Sequence, residues 1–354
     1  MKLKKITYRD FNWELQSLEL GDANLLVGKN ATGKSRTLQV IDHLLKLLNG
    51  QNNLNWAAQW SLEFLNHKEE TVKYDFETKL VKGIISEKIQ LGDEVFLSRS
   101  NGSASLVSQM NGKKEVMHPP ADRLVLQARR DTKHYSFLED IAEWAEHSYS
   151  FKFGNISPKQ WARVQDFGQL VTGEDVTAFF RDLSNKSQKD VIEGMQNIGF
   201  TISEIVPEQR ADSTVLLVKE QALERAIPHY NLSQGMFRAL SLIIFLEYLI
   251  SRKKPMMALI DDLCEGLDYE RARKLGKLVF EKCRGSNIQL VATSNDNFLM
   301  DVVDIECLNV LRRNGKAVTS INYSNHPELF DEFALTGFSN FDFFSSNYLA
   351  KHNL

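Results

Sequence analysis

The chain has 354 residues, 43% of them apolar and 25% charged, with a net charge of −3. That length admits two compact units or one large discontinuous domain, and the composition is that of an ordinary globule with a sizeable core. The weak net charge excludes a protein-wide basic field for coating nucleic acid, while leaving a local basic patch open.

The start, MKLKKITYRDF, has basic residues with no apolar run behind them. The most apolar run, residues 240–250, is short and carries Glu247. Neither a secretion signal nor a membrane span is expected. Cys264, Cys283 and Cys307 show no CxxC spacing, so neither zinc nor disulfides are expected and a cytoplasmic location fits.

Residues 4–8 and 13–20 alternate like strands, and 23–27 is a short apolar run of the buried-strand kind. The stretch VGKNATGKSR, residues 27–36, follows at once. From residue 34 to 48, Leu38, Ile41, Leu44, Leu45 and Leu48 recur at helical spacing, and Gly50 ends the pattern. Residues 60–98 read as an antiparallel meander (WSLEFL, VKYDFETKLV, IISEKIQL, EVFLS), with loops expected at 101–105 and 111–120. Beyond residue 131 amphipathic helical patterns run to about residue 200. A strand at 213–219, a helix at 233–251, a strand at 256–260, a helix at 269–283 and strands at 288–292 and 306–311 follow. Strands alternating with helices imply parallel βα units, so both ends of the chain are expected to build one sheet. No repeat or sustained heptad is present, which excludes long coiled-coil arms.

Gly28-Lys29-Asn30-Ala31-Thr32-Gly33-Lys34-Ser35 fits G-x-x-x-x-G-K-[ST]. The glycines let N–H groups converge on phosphate, the helix N-terminus adds partial positive charge, Lys34 reaches the β and γ oxygens and Ser35 would ligate Mg²⁺. The stretch MMALIDDLCEGLD, residues 256–268, is an apolar strand ending in two acids. Beside a phosphate loop, Asp261 would hold Mg²⁺ and Asp262 would orient or deprotonate the attacking water; alternatively, the two acids cap the next helix. In NLSQGMFRALSLIIF, Ser233 is an N-cap, Gly235 keeps the first turn uncrowded, and the remainder is apolar. Such a terminus is an anion site or simply the start of a core helix.

Together these motifs resemble the ABC-type ATPase heads of the SMC, RecF and OLD group, within the AAA ATPases. The family's L-S-G-G-Q signature stands here as Leu232-Ser233-Gln234-Gly235-Met236, and its acidic strand and D-loop as Leu259-Ile260-Asp261-Asp262 with Glu265-Gly266-Leu267-Asp268. The resemblance covers residues 1–130 and 205–315. It implies an α/β ABC-type head with a mixed sheet, an antiparallel lid sheet and a helical insert. The expected units are 1–130 with phosphate loop and lid, 131–204 the insert, 205–325 the rest of the head, and 326–354 an aromatic tail. It further implies ATP and Mg²⁺ as cofactors. Nucleotide contacts fall to Gly28, Asn30, Gly33, Lys34, Ser35 and Arg36, with Ser233 and Gly235 acting across a homodimer. Lys34 and Asp262 become catalytic, and Ser35 and Asp261 metal ligands.

Two departures stand out. The family's switch histidine has no counterpart in Ala292-Thr293-Ser294-Asn295-Asp296, and Asp262 is one methylene shorter than the usual glutamate. Both touch the groups that position water, which points to slow hydrolysis or a mainly conformational use of ATP. Gln127 is either the family's Q-loop glutamine or an ordinary exposed one. His134 and His229 are isolated and read as structural or surface residues. The six phenylalanines and the tyrosine of residues 330–349 either close the core or form a docking surface. No nuclease-like acidic cluster or Cys/His pair lies outside the head. The expected function is thus an ATP-driven head that gates a protein effector, as in antiphage defence systems. The alternative is a RecF-like DNA clamp, against which stand the non-basic composition and the N-terminal strand.

Overall fold

In chain order the first elements are β1 (Lys2–Asp10), β2 (Glu14–Glu19), β3 (Ala23–Val27) and α1 (Lys34–Leu48). An antiparallel run follows: β4 (Ala58–Leu65), β5 (Thr71–Lys79), β6 (Gly83–Leu91), β7 (Glu94–Ser100), β8 (Ser103–Val107) and β9 (Lys114–Met117). Next come α2 (Val125–Ala128), α3 (Ser136–Glu146), β10 (Tyr149–Lys152), α4 (Gly173–Asp182), α5 (Asn185–Asn197), β11 (Ile202–Arg210), β12 (Ser213–Glu220) and β13 (Ile227–Pro228). The remainder comprises α6 (Gln234–Arg252), β14 (Met256–Asp261), α7 (Tyr269–Cys283), β15 (Ile288–Thr293), α8 (Asn297–Met300), β16 (Leu308–Asn314) and β17 (Ala317–Asn322). Three helices, α9 (Pro327–Ala334), α10 (Asn340–Ser345) and α11 (Tyr348–Lys351), complete it. This computed structural model describes residues 1–51, 56–158, 173–210, 213–294, 296–345 and 348–352.

Among the described residues fourteen strands form one mixed sheet in the order β10-β14-β15-β3-β16-β17-β2-β1-β4-β5-β6-β7-β8-β9. The first five of these strands run parallel and the lid strands β4 to β9 antiparallel. The two ends of the chain thus share one sheet, as the pattern predicts, and β11, β12 and β13 make a separate antiparallel sheet. The parallel strands are buried on both faces, which is why they read as unbroken apolar runs. Met257, Leu259, Val291 and Leu26 face one core with α1 and α3; Met256, Ala258, Ile260, Leu290 and Leu25 face the other with α6 and α7. α6 is long and apolar enough to cross a membrane by length and composition alone, yet most of it is buried inside the protein. It is apolar nearly all round because it lies between the sheet and its neighbours α4, α5 and α7.

A polar ladder crosses the far end of the sheet. The Asn24 amide donates to Leu290 O, Asn309 donates to Asn24 and Asn322 donates to Asn309. These buried amides have their partners only at one strand register, so they select it.

Several strands depart from the sequence reading. β8 and β9 occupy the stretches expected as loops at 101–105 and 111–120. β9 is a short, exposed edge strand with little apolar signal. β10 and the start of β11 fall inside the span expected to be helical, 131–204, of which residues 159–172 lie outside the described residues. β10 has four residues, and its identity as a strand comes from pairing with β14. β17 returns antiparallel along β16. In the tail, Phe330, Phe333 and Phe343 are buried in the α6-side core, so these aromatics close the core, while Leu335 and Phe338 stay exposed.

Candidate functional site

β3, β15 and β14 are parallel neighbours, with Leu26 level with Thr293 and Ala292 level with Ile260. Their carboxyl ends therefore open on one edge of the sheet, the position where open α/β sheets bind ligands. Residues 28–33 leave β3 there and lead into α1.

The loop is built around two glycines. Gly33 has φ +105, a conformation that strains any residue with a side chain. A Cβ on Gly28 would stand 2.5 Å from Thr32 Oγ1 and 2.9 Å from Leu311 O. No side chain caps α1, and its first turn holds no acid. The N–H groups of Lys34, Ser35 and Arg36 thus have neither an intrahelical partner nor a competing anion. Ser35 and Asn30 are exposed. Lys34 is 9% exposed, and its ammonium donates to Gly28 O at 2.7 Å. Burial lowers its pKa, and the carboxylate acting against that shift is Asp262. A triphosphate fits this donor set: uncapped N–H groups, a half-sequestered cation and a space that a Cβ would fill.

Across β15 stand the acids. Asp261 ends β14 and accepts from the Thr293 hydroxyl at 2.7 Å. Asp262 takes φ +53, which turns its N–H toward the same hydroxyl at 3.0 Å. Left-handed backbone at a non-glycine residue is strained and is found disproportionately at functional positions. Burial raises the Asp262 pKa, with Asp261 and Glu265 adding to the shift and Lys34 opposing it. Such a carboxylate is a better proton acceptor than an exposed one.

Ser233 caps α6 by accepting from Met236 N–H at 3.3 Å. A Cβ on Gly235 would lie 3.1 Å from Leu267 Cδ2, so this helix end touches the loop that follows the acids. Among the described residues no hydrogen bond joins Ser233 or Gly235 to residues 28–36. The structure thus brings Lys34 and the two acids together, while the signature helix end packs on the loop after the acids and makes no hydrogen bond to the phosphate loop.

Arg36 is held by Asp10 at 3.1 Å and lies over the Trp13 ring. Gln127 is no exposed glutamine: its amide donates to Leu47 O and its carbonyl accepts from Leu124 N–H, tying α2 to the end of α1. His134 contacts Ser108, and His229 accepts from Leu216 N–H and packs on Phe237, so both are structural. Asn295 of the switch stretch lies outside the described residues. Sequence reasoning missed two contributors. Thr293 is visible only as a polar end to an apolar strand, and Asp10, which organises the β1–β2 turn and holds Arg36, carries no motif.

The fold is that of an SMC-like, ABC-type head. The chain belongs to the family described as "AAA domain, putative AbiEii toxin, Type IV TA system", whose model matches residues 23–301. The SMC head domain from Thermotoga maritima is similar in structure at 16% identity, with 91% of this chain and 99% of that one covered and a TM-score of 0.50. An Smc head bound to the C-terminal winged-helix domain of ScpA gives 14% identity, 93% and 100% coverage and a TM-score of 0.54. The Pyrococcus furiosus Smc head with an extended coiled coil, bound to the C-terminal domain of ScpA, gives 12%, 94%, 99% and 0.53. At these identities the likeness concerns the fold. A comparison with curated proteins finds no match.

Proposed function

We propose that this protein binds ATP, hydrolyses it slowly, closes head to tail on a second copy of itself and gates a partner effector. The observation that carries the reading is the convergence of Lys34, on an uncapped helix N-terminus, with Asp261 and Asp262 at one sheet edge. The α1 N–H groups and Lys34 hold the phosphates, with Gly28 and Gly33 giving the loop its shape. Asn30 and Arg36 flank that loop. Ser35 and Asp261 are the ligands for Mg²⁺, which when bound neutralises charge on the phosphate oxygens. Asp262 orients the attacking water and accepts its proton. The short Asp262 side chain and the lack of a switch histidine in residues 292–296 support slow turnover.

Ser233 and Gly235, at a helix end without bonds to the chain's own phosphate loop, serve the nucleotide of the second copy. The family's description names a toxin of a type IV toxin–antitoxin system, and two of the similar Smc heads are complexes with ScpA domains. Both support a head whose output passes through another protein, here in cytoplasmic antiphage defence. Light scattering of the Asp262→Asn protein with ATP and Mg²⁺ tests the reading, and a doubled mass with ATP but not ADP is expected. A monomer at saturating ATP overturns closure, and no phosphate release by the parent overturns the ATPase.

A further inference from the structure

Arg238 lies on α6, in the turn after Ser233, and is 9% exposed. Its Nε donates to Ile156 O at 3.2 Å and its Nη1 to Glu265 O at 2.9 Å, while Nη2 donates to Gly154 O. These acceptors are main-chain carbonyls from two separate segments. Residues 154–156 follow β10, and Glu265 belongs to the loop between the acids of β14 and α7. Among the described residues no ion pair engages this guanidinium.

A buried cation without a counter-charge is a costly way to hold a helix. α6 has no need of it, since Phe237, Leu240, Ile243 and Ile244 are at most 1% exposed. What the planar fork does is fix several carbonyls in one geometry, which a lysine cannot reproduce. The loop is shaped to receive it: Gly266 has φ +79, and a Cβ there would stand 2.7 Å from Nη1. Leu267 also meets Gly235. The cap of α6 and the loop after the acids therefore touch at two points.

We infer that Arg238 is a positioning residue that locks the Ser233 end of α6 to the loop of Glu265–Asp268, so that a chain presents Ser233 to a second copy in the arrangement its own acidic loop sets. This rests on the head-to-tail closure proposed above. Opening the lock leaves the chain's own phosphate loop intact and spoils only what it offers its neighbour.

The test uses the full chain carrying Asp262→Asn, with Arg238→Lys added. Affinity for a fluorescent ATP analogue is expected within about twofold of the Asp262→Asn protein, with ATP-dependent dimerisation weakened at least tenfold. Gly266→Ala, on the exposed loop, approaches the same lock without disturbing the core and is expected to do likewise. With Asp262 intact, mixing Arg238→Lys with Lys34→Ala pairs a sound phosphate loop with a sound Arg238 and is expected to restore one composite site. Dimerisation equal to that of the Asp262→Asn protein overturns the inference alone. Parallel losses of melting temperature and ATP affinity, with no recovery on mixing, also overturn it, because that is what a merely structural arginine gives. An Asp262→Asn protein that stays monomeric with ATP overturns the closure reading and this inference with it.

Discussion

The Thr293 hydroxyl donates to the Asp261 carboxylate at 2.7 Å, from the end of one parallel strand to the end of the next. The same oxygen accepts the Asp262 N–H, so one side chain sets both acids. Thr293→Val keeps the shape and removes both bonds. Loss of a bond that orients a metal ligand typically costs ten- to a hundredfold in metal affinity or activity. Mg²⁺ titration of ATP turnover is expected to show an apparent affinity lower by about that factor, with ATP-analogue binding retained. An unchanged Mg²⁺ requirement would show that Asp261 is positioned by other means.

Asp262→Asn is expected to keep ATP affinity within a few-fold while lowering turnover by about a hundredfold or more, the usual contribution of a general base. Phosphate-release assays beside equilibrium binding measure the two separately. Parental turnover would make Asp262 a structural acid.

Lys34 is the cation of the phosphate loop, and its ammonium rests on the loop's own Gly28 carbonyl. Lys34→Ala is expected to abolish measurable ATP binding without unfolding the chain, because a sequestered triphosphate loses its main counter-charge where water screens poorly. Isothermal titration with a circular-dichroism control checks this, and normal affinity in a folded variant would remove the loop from the site.

Ser233→Arg puts a bulky cation at the cap of α6. ATP binding through Lys34 and Ser35 is expected to persist while dimerisation and hydrolysis fail together. Mixed in equal amounts with Lys34→Ala, it restores one composite site in each mixed dimer, so partial ATPase recovery is expected. Parental hydrolysis by a monomeric Ser233→Arg protein would confine the site to one chain.

On the lid strand β6, Glu87 is fully buried and accepts from Tyr74 at 2.7 Å and from the Val125 N–H, with Arg99 3.5 Å away. Burial pushes its pKa up to about 7, against the donors Tyr74, Val125 and Arg99. In the unfolded chain the group loses its proton in the ordinary carboxylate range, so between there and about pH 7 the folded state binds more protons. Stability is then expected to fall as pH rises through that window, and Glu87→Gln should flatten the dependence. Denaturation midpoints at a series of pH values measure it; a rise across the window would mean that the Arg99 pairing outweighs burial. Glu87→Ala takes the carboxylate from beside the buried Arg99, which keeps the carbonyls of Pro119, Pro120 and Arg123, and removes the acceptor of Tyr74 and of the Val125 N–H; it is expected to cost roughly 3–5 kcal/mol.

The phosphate loop, α1, the cap of α6 and the acid-tipped β14 were legible in the sequence because each is decided within a few residues. Glycine at a left-handed position, a serine before an apolar helix and acids after an apolar run act through local backbone chemistry. The aromatic tail was legible as either core closure or a docking surface, and the burial of Phe330, Phe333 and Phe343 in the α6-side core decides for the first. What only the tertiary structure decided are relations between residues distant in the chain. β10 is a strand because β14 lies beside it, and β9 because β8 does. Thr293 reaches Asp261 across 32 residues, and Arg238 reaches Gly154 across 84. Such contacts leave no periodicity to read, since hydrogen-bond partners on different segments are chosen by sheet order and packing rather than by neighbouring side chains.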